Sequence, residues 1–237
     1  RPPRYSRTAA IAGPRSPSGR RKGFSKTGIV DLARSTALVV DVAEARVLTT
    51  EDGEMLEAQL APAVGDARAA MVLCHPHPQF GGTMHTKVVY QAAKAFRRIG
   101  CAVLRFNFRG VGTSEGRWDE GRGEMDDFRA GVAFMRERHP DIPLWAAGMS
   151  FGAWIALTVG AGDARMSTLL GIAPPLSRYD FEPVRTSETP KFFIQGERDE
   201  LCPLKEMQAF YARARDPKEL VVIDGADHLF DGKVAEV

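Results

Sequence analysis

The chain has 237 residues, 44% hydrophobic and 26% charged, with 32 Lys and Arg against 30 Asp and Glu. This length suits one large α/β domain, or a smaller one with an extension, and can bury a core without disulfide or metal staples. The near-average composition excludes a wholly disordered or collagen-like chain, and no apolar run reaches the length of a membrane span.

The charge is unevenly spread. Residues 1–30 hold eight Lys or Arg and no acidic group, which leaves 24 basic against 30 acidic residues, a net of −6, in the rest. With Pro2, Pro3, Pro14 and Pro17 and few aromatic residues, this tail cannot bury enough apolar surface to offset its ordering entropy. A disordered basic extension is therefore expected over residues 1–44, followed by one domain over 45–237. Such a tail also matches the composition of a transit peptide or a nucleic-acid arm. The preferred reading is an extension with no part in function, so neither nucleic acid nor membrane is expected as a partner. Cys74, Cys101 and Cys202 are odd in number and lack metal spacing, which suits reduced core residues of a cytoplasmic protein.

Segments 46–50 and 54–60, joined by Glu51-Asp52-Gly53, predict a hairpin. AAMVLC at 69–74 predicts a buried parallel strand. Val88, Val89, Ala92, Ala93 and Phe96 repeat with a helical period before Gly100. A strand over 102–108, a helix over 125–138 and a strand over 143–147 follow. The remaining elements are a helix over 151–159, strands at 167–172, 191–194 and 219–223, and a helix over 203–214. This alternation argues a mostly parallel sheet with helices on both faces.

Gly148-Met149-Ser150-Phe151-Gly152 lies between the strand PLWAA and an apolar helix. G-x-S-x-G in that context is a nucleophile elbow: glycines permit a turn so tight that Ser150 is lifted above the sheet end. A serine hydroxyl needs a general base, itself oriented by an acid, in the chain order Ser, acid, His. The one histidine downstream is His228, in the loop after ELVVI. Asp199, in the loop after KFFIQ, is the chosen acid, with Glu197 second. Cys202 is read as a packed thiol.

An oxyanion hole needs the N–H of Phe151 and a second donor from the loop His75-Pro76-His77-Pro78-Gln79-Phe80. The prolines lack N–H groups, so His77, Gln79 and Phe80 are the candidates, and His77 is preferred. A His75–His77 metal pair is the competing reading; no later cluster completes it, and no metal or cofactor is expected. Gly110-Val111-Gly112-Thr113-Ser114-Glu115-Gly116 has the wrong spacing for a dinucleotide fingerprint and is read as a tight loop.

HPHPQFGGTM at 75–84, NFRGVGTSEG at 107–116, GMSFG at 148–152, GERD at 196–199 and GADHLF at 225–230 together resemble the α/β-hydrolase superfamily. The resemblance is greatest to small bacterial serine hydrolases near dienelactone hydrolases and serine-aminopeptidase-type esterases. It implies an α/β-hydrolase fold with a sheet of about eight strands, antiparallel at the first hairpin. It also implies a Ser150–Asp199–His228 triad with His77 and Phe151 at the oxyanion. Dienelactone hydrolases carry cysteine at the Ser150 position, so their substrate is not expected. Relatives usually continue with a complete last helix, so the C-terminal helix is expected to be truncated. The link 173–190, broken by Pro174, Pro175, Pro183 and Pro190, is too short for a multi-helix cap. The expected activity is hydrolysis of small acyl esters or thioesters, with acyl chains of about two to six carbons, since an open wall cannot cover more CH₂ groups. The alternative is a non-catalytic binding protein that keeps the fold.

Overall fold

A computed structural model describes residues 43–237. The extension read over residues 1–44 falls almost wholly outside them. Strand β1 (Glu44–Thr49) runs antiparallel to β2 (Met55–Ala61). Gly53 closes their turn at φ +94°, where an L side chain would be strained. Six more strands follow: β3 (Ala69–Cys74), β4 (Cys101–Phe106), β5 (Leu144–Met149), β6 (Met166–Ile172), β7 (Lys191–Gly196) and β8 (Lys218–Ile223). They form an eight-stranded sheet in the order β1-β2-β4-β3-β5-β6-β7-β8. β2 meets β4 antiparallel, and each pairing from β4 to β8 is parallel. This is the α/β-hydrolase architecture that the sequence implies.

β3 is buried along its whole length because helices cover both faces. Its alternate residues serve different cores. Ala69, Met71 and Leu73 pack with Val88, Val89 and Ala92 of α1 (Lys87–Arg98). Ala70, Val72 and Cys74 pack with Phe128 and Val132 of α2 (Arg122–Arg138) and Ile155 and Ala156 of α3 (Phe151–Ala161). Val184 of α4 (Glu182–Thr186) and Met207 and Phe210 of α5 (Leu204–Arg213) join that second core. Each fully buried Val, Leu or Phe contributes about 1.5–3 kcal/mol, so two such cores hold the sheet rigidly under the loops at its C-terminal edge.

The element boundaries differ from expectation for local reasons. α2 starts at Arg122, ahead of the expected Met125, because Glu124 accepts the N–H groups of Gly121 (2.8 Å) and Asp119 (3.0 Å) and caps the first turn. β4 ends at Phe106 because the N–H of Phe108 turns to the His75 ring at 3.1 Å. α4 lies inside a link that sequence leaves without an element. Among the described residues no helix is long and apolar enough to cross a membrane.

The strand order positions the site. From β3 the chain steps outward to β4, and then α2 returns it to β5 on the other side of β3. The loops leaving β3 and β5 therefore part in opposite directions. In a parallel sheet such a reversal opens a crevice at the C-terminal strand ends, where ligands bind. His77 follows β3 and Ser150 follows β5, so both stand at that crevice.

Candidate active site

Ser150 joins β5 directly to α3 with φ 53° and ψ −121°, a conformation that costs a non-glycine residue about 1–3 kcal/mol. The surroundings hold it there. Its N–H donates to the Ile172 carbonyl at 2.8 Å, and its carbonyl accepts from Ala153 at 2.9 Å. The flanking glycines are required by space. A Cβ on Gly148 would lie 2.2 Å from the Gly152 carbonyl oxygen, and one on Gly152 would lie 2.3 Å from that of His75. α3 thus starts hard against the end of β3.

Asp199 and His228 reach Ser150 from the loops after β7 and β8. The Ser150 hydroxyl lies 3.1 Å from His228 Nε2, and His228 Nδ1 lies 2.9 Å from Asp199 Oδ2. An ionised carboxylate only accepts, so Nδ1 carries the proton and Nε2 is left to accept from Ser150. Asp199 is buried, and it is held by three further donors. Leu201 N–H and Cys202 N–H reach Oδ1 at 2.9 and 2.8 Å, and Gln195 Nε2 reaches Oδ2 at 3.0 Å. Glu197, the second acid candidate, accepts the N–H of Gly225 at 2.7 Å instead. That bond ties the β7 loop to the loop bearing His228.

The loop after β3 distinguishes its three candidate donors. The N–H of Gln79 goes to His77 Nδ1 at 3.2 Å, and that of Phe80 goes to the His77 carbonyl at 3.1 Å. Among the described residues the N–H groups of His77 and Phe151 have no protein acceptor. The Phe151 N–H stands at the N-terminus of α3, whose dipole favours negative charge. Burial, then the Arg178 guanidinium, lowers the pKa of the His77 ring and favours its neutral form.

The other candidate chemistry is committed to structure. His75 is fully buried, its Nδ1 2.6 Å from the Pro76 carbonyl and its Nε2 accepting from Phe108. Burial lowers its pKa to about 4, so it stays neutral, and both nitrogens are used. A metal shared between His75 and His77 therefore has no lone pair to claim on His75. Asp199, Cys202 and His228 also offer ligand atoms within 4.8 Å of one another. Burial, reinforced by Asp199, raises the Cys202 thiol pKa strongly, and the thiol donates to the Ala173 carbonyl at 3.3 Å. It is a packed thiol, as the sequence implies. The segment 110–116 is a tight loop: Gly110 and Gly112 have φ of +73° and +61°, and Gly110 N–H donates to the Glu115 carbonyl at 2.9 Å. A groove of about 400 Å³ runs along β1 and β2, past Val47, Met55 and Glu57; it contains none of the Ser150 constellation.

Sequence reasoning expected one wall and a few aromatic contacts from the link 173–190, which includes Tyr179, but missed Gln195 and the part of the wall built by Trp118 and Trp154. Tyr179, in the link after β6, stacks on Trp154 of α3 at 4.2 Å. Phe151 lies 5.1 Å from Trp118 and 5.8 Å from Tyr179. A buried strand-end glutamine was a readable signal; contact between rings from separate loops was not.

Comparison with known proteins bears on the fold and the class of activity. Residues 65–186 match the model of a hydrolase family described as serine aminopeptidase, S33. A protein of Rickettsia prowazekii is 34% identical over 190 residues, which is 76% of this chain and 80% of that one. An α/β serine hydrolase homologue from Coxiella burnetii superposes with a TM-score of 0.77 at 36% identity, over 81% of this chain and 92% of its own. An α/β serine hydrolase without a lid from Xanthomonas campestris has a TM-score of 0.75 at 35% identity, over 82% and 89%.

Proposed function

The chain belongs to the serine aminopeptidase (S33) family of α/β serine hydrolases and is a hydrolase, and from that premise we propose that it cleaves esters or thioesters of small acyl groups through an acyl-enzyme on Ser150. The observation that carries this reading is the continuous line from Ser150 Oγ to His228 Nε2 and from His228 Nδ1 to Asp199. In the first step Ser150 Oγ bonds to the substrate carbonyl carbon and its proton passes to His228 Nε2. The carbonyl electron pair moves onto oxygen, where the N–H groups of His77 and Phe151 hold it. Preorganised donors of this kind are worth about 3–4 kcal/mol each in the transition state. The pair returns, the bond to the leaving oxygen or sulfur breaks, and His228 gives that atom the proton. Water then attacks the acyl carbon, its proton goes to His228, and the acid departs as Ser150 regains its hydrogen. Asp199 stays ionised throughout and fixes the imidazole tautomer.

Two observations favour an ester over the aminopeptidase substrate of the family's name. An aminopeptidase must hold an α-ammonium group, and the side chains clustered about His77 and Phe151, namely Phe80, Trp118 and Tyr179, carry no anion to pair with it. The link after β6 supplies Tyr179 and the short α4 as one wall, with no multi-helix cap. That supports short alkyl acyl groups, since each added CH₂ contributes about 0.8 kcal/mol only where wall covers it. Kinetics on p-nitrophenyl esters from acetate to palmitate, alongside aminoacyl p-nitroanilides, test the reading. The expected result is a pre-steady-state burst and kcat/KM that peaks at or below about six carbons and exceeds that of every anilide. Turnover rising to palmitate, or anilides preferred, would contradict it.

A further inference from the structure

Six rings from separate parts of the chain meet beside Ser150. Phe80 and His77 come from the loop after β3, and their rings lie 4.7 Å apart. Trp118 comes from the segment between β4 and α2 and lies 4.5 Å from His77 and 5.1 Å from Phe151. Phe151 and Trp154 form the first turn of α3, 5.6 Å apart, and Tyr179 stacks on Trp154 with only 12° between the ring planes. Such clusters usually fill a core, and Phe151 is buried. The others are placed differently. His77, Trp118, Trp154 and Tyr179 are half-buried, and Phe80 is 82% exposed. Trp118, Trp154 and Tyr179 pack on the edge of the main core with part of each ring exposed, and of the six rings Phe80 shows the most of its face to water.

The sheet order says which part of a substrate meets these rings. β5, which bears Ser150, has β3 and β4 on one side and β6 to β8 on the other. His228 comes from the β8 side. The leaving group must take its proton from His228, so it departs on that side. The carbonyl oxygen faces the N–H groups of His77 and Phe151, so the acyl group, bonded to the same carbon and turned away from His228, leaves it next to the rings that cluster about those two residues. The two residues with free N–H groups for the oxyanion, His77 and Phe151, are themselves part of the ring cluster. Resting on the ester hydrolysis proposed above, we infer that this wall is an acyl subsite for a planar aromatic ring carried on a short tether. An open wall cannot enclose a flexible chain, but a flat ring gains stacking contact from one exposed face.

The test compares methyl 3-phenylpropanoate with methyl 3-cyclohexylpropanoate, with methyl butyrate as the ring-free reference. The ring stands two carbons from the reacting carbonyl, so intrinsic reactivity is matched, and the cyclohexyl ester is the more hydrophobic. Apolar burial alone therefore favours cyclohexyl. The expected result is a phenyl-to-cyclohexyl kcat/KM ratio of about five, the effect of one aromatic pair. The ratio should fall to about one in Trp118→Leu and persist in Trp118→Phe. Phe80→Leu, at an exposed position, should lower it without endangering the fold. A wild-type ratio at or below one with butyrate hydrolysed overturns the subsite alone, as does an unchanged ratio in both leucine variants. Failure to hydrolyse any of the three esters overturns the ester reading and the subsite with it.

Discussion

Gln195 Nε2 lies 3.0 Å from Asp199 Oδ2, the same carboxylate oxygen that stands 2.9 Å from His228 Nδ1. The amide also donates to the Cys202 carbonyl at 2.6 Å, while its own oxygen is buried without a partner. Turning the amide over would set its oxygen against an ionised carboxylate, so Asp199 dictates the orientation. These two contacts make Gln195 a candidate positioning residue for Asp199.

Gln195→Leu removes one donor from Asp199 and also removes the orphaned oxygen. A hydrogen bond to a charged group is worth about 1.5–3 kcal/mol, and burying an unpaired polar atom costs about 1–3 kcal/mol. Those two largely cancel in stability, the lost bond to the Cys202 carbonyl leaves a net cost of about 1 kcal/mol, and catalysis bears the loss at Asp199. We expect kcat to fall about tenfold with KM unchanged and Tm within about 4 °C of wild type. Steady-state kinetics and calorimetry on the same preparation check this. A large loss of Tm with kcat preserved would make Gln195 a packing residue only.

Asp199→Asn and Glu197→Gln should separate widely. An asparagine at 199 can present its NH₂ to Nδ1 and reverse the imidazole tautomer, a loss of about 10⁴-fold in kcat. Glu197 accepts from Gly225, and a glutamine there keeps an oxygen acceptor, so an effect below about threefold is expected. Ester turnover by the two variants decides it. The reverse ranking would transfer the acid role to Glu197.

His75 gives stability a pH dependence of defined sign. Its folded pKa of about 4 lies below the ordinary value of 6.5. Between those values the unfolded chain binds a proton that the folded chain refuses, so stability falls as pH drops from about 6.5 towards 4. At 1.36 kcal/mol per pH unit, the contribution between pH 6.5 and 5 is about 2 kcal/mol. His75→Gln keeps an acceptor for Phe108 and does not titrate. Urea unfolding at both pH values should show wild type losing about 2 kcal/mol more than the variant. Equal losses would mean that the His75 pKa is not depressed.

Much of this was legible in the sequence because it was written in local terms. Alternating apolar runs and glycine stops set out the strands, and the two glycines about Ser150 announced the turn that their steric contacts require. The order Ser150, Asp199, His228, at the ends of β5, β7 and β8, picked out residues that the sheet places in line, Ser150 to His228 to Asp199, each within 3.1 Å of the next. The choice among His77, Gln79 and Phe80 was not legible, because it depends on how one turn spends its N–H groups. The preferred His77 is the one left without an acceptor. Gln195 was readable, since it ends KFFIQ only four residues before Asp199, and it was overlooked; the meeting of Trp118, Phe151 and Trp154 with Tyr179 was not readable, because it joins elements distant in sequence and spacing along the chain does not record such contacts.

The central claim is that Ser150 is the nucleophile, activated by His228. A fluorophosphonate probe captures that state directly, because it phosphonylates only an activated serine. Labelling of the full chain, followed by peptide mass spectrometry, should place a single adduct on the peptide that contains Ser150. The adduct should vanish in Ser150→Ala and form about 10³-fold more slowly, or not at all, in His228→Ala. No adduct on the folded protein, or an adduct on another residue that survives in Ser150→Ala, would contradict the account.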